Sequence, residues 1–131
     1  MSRPLIVRHH APFFADAGSP AALRLFAMMA EGCLPLLDRW RALDAAGAPS
    51  HFTAALSPTL LEHWADPELC AAFGAWLEDE ASAASGERAT RLKAARALYV
   101  RLDGDLLAEY RRLWTKGHVE LITLPATDAP L

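Results

Sequence analysis

The chain has 131 residues, of which 53% are hydrophobic and 22% charged, a size and composition typical of one globular domain with a buried core. Its formal net charge of -3, without any run of lysine or arginine, argues against a nucleic-acid partner. Because no run of about 18 uninterrupted apolar residues occurs and no signal-peptide pattern opens the chain, we predict no membrane span and no secretion signal.

The first half of the chain begins with a strand pattern and continues with a long helical one. Residues 4–9 (PLIVRH) predict a short apolar strand that ends at two histidines and a proline-containing loop. Apolar residues then recur three or four apart over residues 21–46, which predicts a helix. Gly32 and Pro35 lie inside this pattern, so we expect the helix to be kinked or split there.

A second apolar run, residues 51–56 (HFTAAL), predicts another strand that leads directly into helices. Ser57 and Asp66 are each followed by a proline. Each should therefore cap a helix, with the proline in the first helical position. The missing N–H of proline has no cost there.

The last part of the chain is predicted to be helical up to a final strand. A helix is expected over residues 87–116, interrupted near Gly104, and residues 118–124 (HVELITL) predict a third strand. Long helical connections between strands force parallel pairing, so the predicted fold class is α/β with three parallel strands joined by helical crossovers. Such a small sheet leaves its outer edges uncovered, and we expect self-association through these edges or a larger surrounding structure.

Several conspicuous side chains have structural interpretations. Cys33 and Cys70 lie in helical patterns, and we expect buried, reduced thiols of a cytoplasmic protein. Core packing is expected for the four tryptophans, which follow helical spacing: Trp40, Trp64, Trp76 and Trp114. Solvated or helix-capping roles are expected for nine carboxylates away from the strand ends: Glu62, Asp66, Glu68, Glu78, Asp79, Glu80, Asp103, Asp105 and Glu109.

The adjacent histidines His9 and His10 raise the question of a metal site. Adjacent residues of a strand point to opposite faces, so these two are poorly placed to share one ion. A zinc site needs three or four converging ligands, and the remaining histidines are in a helix or at strand starts. We therefore predict neither a metal nor a cofactor. For His10, a substrate contact and a purely structural role at the strand end both remain open.

Three stretches together resemble a known family: PLIVRHHAPF (4–13), residues 33–80 with LSPTLLEHWADPEL (56–69), and GDLLAEYRRLWTKGHVELITLPATDAPL (104–131). They are similar to the opening of glycoside hydrolase family 57, and most of all to its 1,4-α-glucan branching enzymes. The most specific stretch is the one from 56 to 69, which combines a strand end, a cap and a helix start in the family's order. The resemblance covers essentially the whole chain, residues 1–131.

The resemblance implies a fold, a partner and a set of site residues. The family adopts an incomplete (β/α)7 barrel whose active site lies at the C-terminal ends of the strands, so these strands would be the first three of seven. Its His-x-His-x-Pro motif maps onto residues 8–12, with Arg8 in place of the earlier histidine. A second motif, around Ala-Thr-His, maps onto residues 126–128, with Asp128 in place of the histidine. The implied contacts to an α-glucan come from Arg8, His10, Phe13 and Asp128, although Phe13 could equally anchor its loop.

The resemblance also implies what this stretch does not supply. In the family, a glutamate nucleophile follows strand four and an aspartate acid/base follows strand seven, and neither position falls within these 131 residues. A retaining glycosidase needs both carboxylates, about 5–5.5 Å apart, so we expect the isolated chain to be inactive. The alternative function is a small non-catalytic α/β module that associates with itself or with a partner chain.

Overall fold

The computed structural model describes residues 5–12, 14, 16–48 and 51–123. Within these residues, strands alternate with helices in the predicted order. The elements are β1 (Ile6–His9), α1 (Pro20–Met28), a π-helical segment (Met29–Cys33), α2 (Leu34–Ala45), β2 (Phe52–Leu56), α3 (Pro58–Ala65), α4 (Pro67–Ala83), α5 (Gly86–Arg101), α6 (Leu106–Thr115) and β3 (Val119–Thr123).

The three strands form one sheet with β2 in the centre, and both pairings are parallel. His9 of β1 lies opposite Leu56 of β2, which in turn lies opposite Thr123 of β3. Helices α3 to α6 make the connection between β2 and β3, because parallel neighbours need a long crossover. The predicted α/β class, the parallel strands and the helical crossover are therefore confirmed.

The long first helix was predicted to be interrupted near Gly32 and Pro35. At this place the structure has a π-helical turn, which is wider than an α-helical one. The N–H of Leu34 bonds the carbonyl of Met29, five residues back, which is the π-helical pattern. Pro35 follows in the first turn of α2, where its ring and missing N–H are tolerated. The helical stretch therefore continues from Pro20 to Ala45, past Gly32 and Pro35.

Both predicted proline-assisted helix starts are present. The Oγ of Ser57 accepts a hydrogen bond from the N–H of Leu60 at 3.2 Å, which caps α3. The Oδ1 of Asp66 accepts one from the N–H of Glu68 at 3.0 Å, which caps α4. Each bond satisfies a donor that the first helical turn leaves without an intrahelical partner.

The hydrophobic core lies between one face of the sheet and the helices. Phe52, Ala54 and Leu56 alternate along β2 and are buried on this face, and the ring of Trp40 packs 4.1 Å from that of Phe52. On the other face, Ile6 and Ile122 are 64% and 43% exposed. Parallel sheets are normally covered on both faces, so the described residues leave one sheet face open.

The expectation of core packing is wrong for Trp114, which is 57% exposed. Its neighbours on α6 explain this: Leu106, Tyr110 and Leu113 form the buried stripe, and Trp114 lies one residue beyond it. The side chain instead lines a groove of about 420 Å³ beside the edge strand β3, together with Ile122. Leu56 and Leu121, on the helix-covered face of the sheet, also line the groove.

Two more side-chain expectations need correction. Glu109 is only 4% exposed, because Arg41 and Arg112 bring it opposite charges at 3.0 Å and 2.7 Å. A carboxylate can be buried when it is paired in this way. Cys70 is half-buried rather than buried, and its thiol donates to the carbonyl of Trp64.

Arg112 extends the ionic cluster of Glu109 to Asp44, so that it joins α2, α6 and the start of β3 at the N-terminal edge of the sheet. Asp44 Oδ2 accepts from Arg112 Nη1 at 2.9 Å and from Lys116 Nζ at 3.1 Å. Asp44 Oδ1 lies 2.8 Å from His118 Nε2. These contacts hold the pKa of Asp44 well below its usual range, with the bond from Arg112 as the largest cause.

Among the described residues, one helical stretch, Pro20–Ala45, is long and apolar enough by length and composition to cross a membrane. Core helices of water-soluble proteins pass the same test, and this stretch places Phe26, Leu34 and Leu37 in the hydrophobic core. Its length and composition are therefore weak evidence for a membrane span.

Candidate functional site at the C-terminal edge of the sheet

The C-terminal ends of β1 and β2 meet at one edge of the sheet, as the parallel register requires. β1 ends at His9 and is followed by His10, Ala11 and Pro12, and β2 is followed by Ser57 at the start of α3. In α/β folds, ligands bind outside the carboxyl ends of the strands. This edge is therefore where we place the candidate site.

His9 belongs to the helical side of the sheet. It is 8% exposed, and a Cβ placed on Gly32 of the π-helical segment would lie 3.8 Å from its Cε1 atom. Burial lowers the pKa of His9, so the ring is neutral near pH 7. Its Nε2 atom has no hydrogen-bond partner in the described part of the chain. His9 thus packs under the first helix and is directed away from the open sheet face.

Arg8 and His10 are the two predicted site residues that the structure describes. Arg8 pairs in register with Ala55 and is exposed, while its neighbour His9 is buried, so it lies on the open side of the sheet. His10 is half-buried directly after β1. The other two predicted site residues, Phe13 and Asp128, lie outside the described residues.

Residues at the start of α3 complete the edge and were not predicted as site residues. The Thr59 hydroxyl donates to the carbonyl of Ala11 at 2.6 Å, and His63 Nε2 lies 3.0 Å from the carbonyl of Pro12. The ring of Phe14 stacks on that of His63, with centroids 4.0 Å apart and planes 13° apart. The loop after β1 is thus fastened to α3 by polar and aromatic contacts.

The chemistry available at this edge is hydrogen bonding. Among residues 5–12, 14, 16–48 and 51–123, no group of three or more histidine, cysteine or acidic side chains is placed to hold a metal ion. Asp66 and Asp105 are used as helix caps, and Asp44 and Glu109 are both paired with Arg112. What the edge offers to a ligand is the imidazole of His10 and the guanidinium of Arg8, both of which can hydrogen-bond polar groups.

A cleft of about 750 Å³ lies elsewhere, among α4, α5 and α6. Its lining includes Cys70, Tyr99, Gly104 and Arg111 and none of the strand-end histidines. The Tyr99 hydroxyl is engaged with the carbonyl of Cys70 at 2.8 Å. The cleft is therefore separate from the edge that carries His10.

No family model matches the chain. Among solved structures, it is similar to the GH57-type branching enzyme of the hyperthermophilic archaeon Pyrococcus horikoshii, with 23% identity and a TM-score of 0.78 over 92% of this chain and 26% of that one. It is also similar to a GH57 branching enzyme of the hyperthermophilic archaeon Thermococcus kodakaraensis, crystallised with glucose and additives, with 23% identity and a TM-score of 0.81 over 95% and 25%.

A third similar structure is a novel α-amylase of Thermotoga maritima, with 16% identity and a TM-score of 0.74 over 92% of this chain and 26% of that one. The chain spans about a quarter of the length of these enzymes. The resemblance to glycoside hydrolase family 57 is thereby confirmed at the level of the fold, with three parallel strands and helical crossovers matching part of these larger enzymes.

Proposed function

We propose that this chain is the glucan-contacting portion of an enzyme of glycoside hydrolase family 57, and that alone it neither branches nor hydrolyses α-glucan. The observation that carries the proposal is the shared fold, which extends over more than nine tenths of the chain with two branching enzymes. The open sheet face supports it as well, because a parallel sheet of this kind is normally covered on both faces.

His10 and Arg8 are the proposed sugar contacts among the described residues. His10 lies at the C-terminal end of β1, and Arg8 lies two residues earlier on the open side of the sheet. An imidazole can donate to or accept from a sugar hydroxyl, and a guanidinium presents five N–H donors. Phe13 and Asp128 remain predicted members of the same contact set.

The proposed lack of turnover follows from what a retaining mechanism requires. One carboxylate must attack the anomeric carbon while a second shuttles the proton, and the loss of either removes most of the rate enhancement. The carboxylates with defined contacts near the core, Asp44 and Glu109, are tied to arginines. Carboxylates from the rest of a barrel would have to supply the chemistry.

Incubation of the purified chain with amylose, followed by iodine staining and measurement of reducing ends, tests this part of the proposal. We expect no change in either signal. Turnover that survives repurification and is lost in Asp128→Asn would overturn it, because the short chain would then hold a catalytic site of its own.

The sugar contact is tested separately by titration with maltoheptaose, followed by ¹H–¹⁵N NMR. We expect weak binding that shifts the amide resonances of residues 9–11, and we expect His10→Ala to weaken it. His51→Ala is the matched control, because His51 is an exposed histidine at the opposite end of β2. Unchanged spectra at millimolar maltoheptaose would contradict the proposed contact.

A second candidate function is a non-catalytic module that associates with itself, which the exposed apolar residues favour. Ile6 and Ile122 on the open sheet face, with Trp114 beside β3, are all more than 40% exposed. Such a surface together with unpaired strand edges favours association. Sedimentation equilibrium over a range of concentrations tests this function. A dimer that Ile122→Lys dissociates supports it, and a monomer at every concentration rules it out.

A second observation separates the two candidate functions. Coding DNA that continues in frame past Leu131 to a strand-end glutamate would favour the enzyme.

A further inference from the structure

We infer that Thr59 and His63 are positioning residues, which hold the loop that carries His10 at the C-terminal edge of the sheet. This inference rests on the proposed sugar contact of His10. It concerns a property that the resemblance does not assign, namely which part of the chain fixes the position of residues 10–12 and 14.

Thr59 and His63 form hydrogen bonds with two consecutive carbonyls of the loop. Thr59 Oγ1 lies 2.6 Å from the carbonyl oxygen of Ala11, and His63 Nε2 lies 3.0 Å from that of Pro12. Residues four apart on a helix lie on the same face, so α3 presents both groups to the loop together. Because a carbonyl can only accept, the hydroxyl and the Nε2–H must be the donors.

Two further contacts connect the chain before and after His10 to the same helix. The N–H of Ser57 bonds the carbonyl of His9 at 3.3 Å, directly before His10. Beyond Pro12, the Phe14 ring stacks on the His63 ring at 4.0 Å. The chain is therefore held on either side of His10 by the first two turns of one helix.

Burial makes these bonds matter to the path of the loop. Ala11 is 1% exposed, so loss of the Thr59 donor would leave its carbonyl in a poorly hydrated site, whereas Pro12 is exposed and its carbonyl would turn to water if the His63 donor were lost. Such a loss is relieved most easily by movement of the loop toward water. Because these contacts to the loop are to main-chain carbonyls and to the Phe14 ring, their shared effect is on backbone position, and backbone position decides where His10 meets a ligand.

Four variants separate positioning from general stability. Thr59→Val keeps the shape and removes the donor, whereas Thr59→Ser keeps the donor. His63→Phe keeps a ring to stack on Phe14 and removes the Nε2–H. Thr115→Val is the control, because the Thr115 hydroxyl also bonds a backbone carbonyl, that of Arg111 at 2.9 Å, but on the exposed end of α6.

The readouts are the maltoheptaose dissociation constant, the ¹H–¹³C resonances of the His10 imidazole, and the thermal unfolding midpoint. We expect Thr59→Val and His63→Phe to weaken binding about fivefold to tenfold, the value of one lost hydrogen bond, and to shift the His10 resonances. Thr59→Ser and Thr115→Val should stay within about twofold of the wild type.

Lowered midpoints with unchanged His10 resonances in Thr59→Val and His63→Phe would overturn the inference, because the contacts would then be structural only. If the wild type shows no maltoheptaose binding, the proposed function fails, but the His10 resonances still decide whether α3 positions the loop. Should Thr59→Val not fold, the comparison of His63→Phe with Thr59→Ser gives the same decision.

Discussion

Asp44 in α2 and His118 before β3 are 74 residues apart in sequence, yet Asp44 Oδ1 lies 2.8 Å from His118 Nε2. The same carboxylate accepts from Arg112 and Lys116 at its other oxygen. One aspartate thus fastens the end of the first helical crossover to the end of the second. The register of β3 against β2 depends on these two crossovers, so the contact links the helical layer to the order of the strands.

The first prediction is that Asp44→Asn destabilises the fold and reduces its sensitivity to acid. The pKa of Asp44 is lower in the folded chain than its ordinary value of about 3.9, because Arg112, Lys116 and His118 favour the charged carboxylate. Its contribution is therefore fully present above about pH 4 and is lost as the pH falls further. Thermal unfolding midpoints measured between about pH 6 and about pH 3 should fall less steeply in the variant.

Asp38→Asn is the matched control, because Asp38 is an exposed aspartate on the same helix. Its unfolding midpoint should follow that of the wild type over the same range. Equal pH profiles for Asp44→Asn and the wild type would contradict the role given to the Asp44 cluster.

The second prediction concerns the buried carboxylate of Glu109, which is bonded by Arg41 and Arg112. Glu109→Gln removes the charge that both guanidinium groups face, and both arginines are about one third exposed, so water partly compensates. We expect a loss of about 1–3 kcal/mol in the free energy of unfolding, measured by urea denaturation.

Glu87→Gln should change the free energy of unfolding by less than about 0.5 kcal/mol, since Glu87 is 96% exposed and its nearest arginine contact is at 4.0 Å. Similar losses in both variants would show that Glu109 is no more than a surface charge.

The third prediction compares two serines that precede helices. Ser57 is fully buried and its hydroxyl accepts from the N–H of Leu60, whereas Ser85 before α5 makes no side-chain cap. Ser57→Ala should therefore cost about 1 kcal/mol of unfolding free energy, and Ser85→Ala should cost little. Urea denaturation of the two variants decides this, and a larger loss for Ser85→Ala would contradict the capping assignment.

Local signals in the sequence are sufficient to predict the helices and strands and the parallel pairing of the strands. A serine or aspartate before a proline marks a helix start within a few residues, and the two predicted starts, at Ser57 and Asp66, are present. The same signal occurs at Ser19, which caps α1. Long helical connections leave parallel pairing as the practical arrangement, and both strand pairs are parallel. These features depend on neighbouring residues or on topology alone, so no knowledge of distant contacts was needed.

The contacts of the candidate site could not be predicted in this way. Thr59 and His63 meet carbonyls that are 48 and 51 residues away in sequence, and a polar residue on a helix gives no local sign of the loop it will contact. Glu109 was expected in solvent for the same reason, since its partner Arg41 is 68 residues away. Whether Arg8 and His10 contact a sugar remains a prediction.

The last prediction uses two glycines that differ in conformation. Gly32 lies in the π-helical segment, and a Cβ there would meet only ordinary contacts, 3.8 Å from His9 and 3.9 Å from Met28. Alanine loses less backbone freedom than glycine on folding, so Gly32→Ala should raise the free energy of unfolding by about 0.5–1 kcal/mol. Gly104 has a φ of +72°, and a Cβ there would lie 3.2 Å from the Tyr99 hydroxyl. Gly104→Ala should therefore lower the free energy of unfolding by about 1–2 kcal/mol. Urea denaturation measures both, and a destabilised Gly32→Ala would mean that His9 packs against the helix more tightly than these distances indicate.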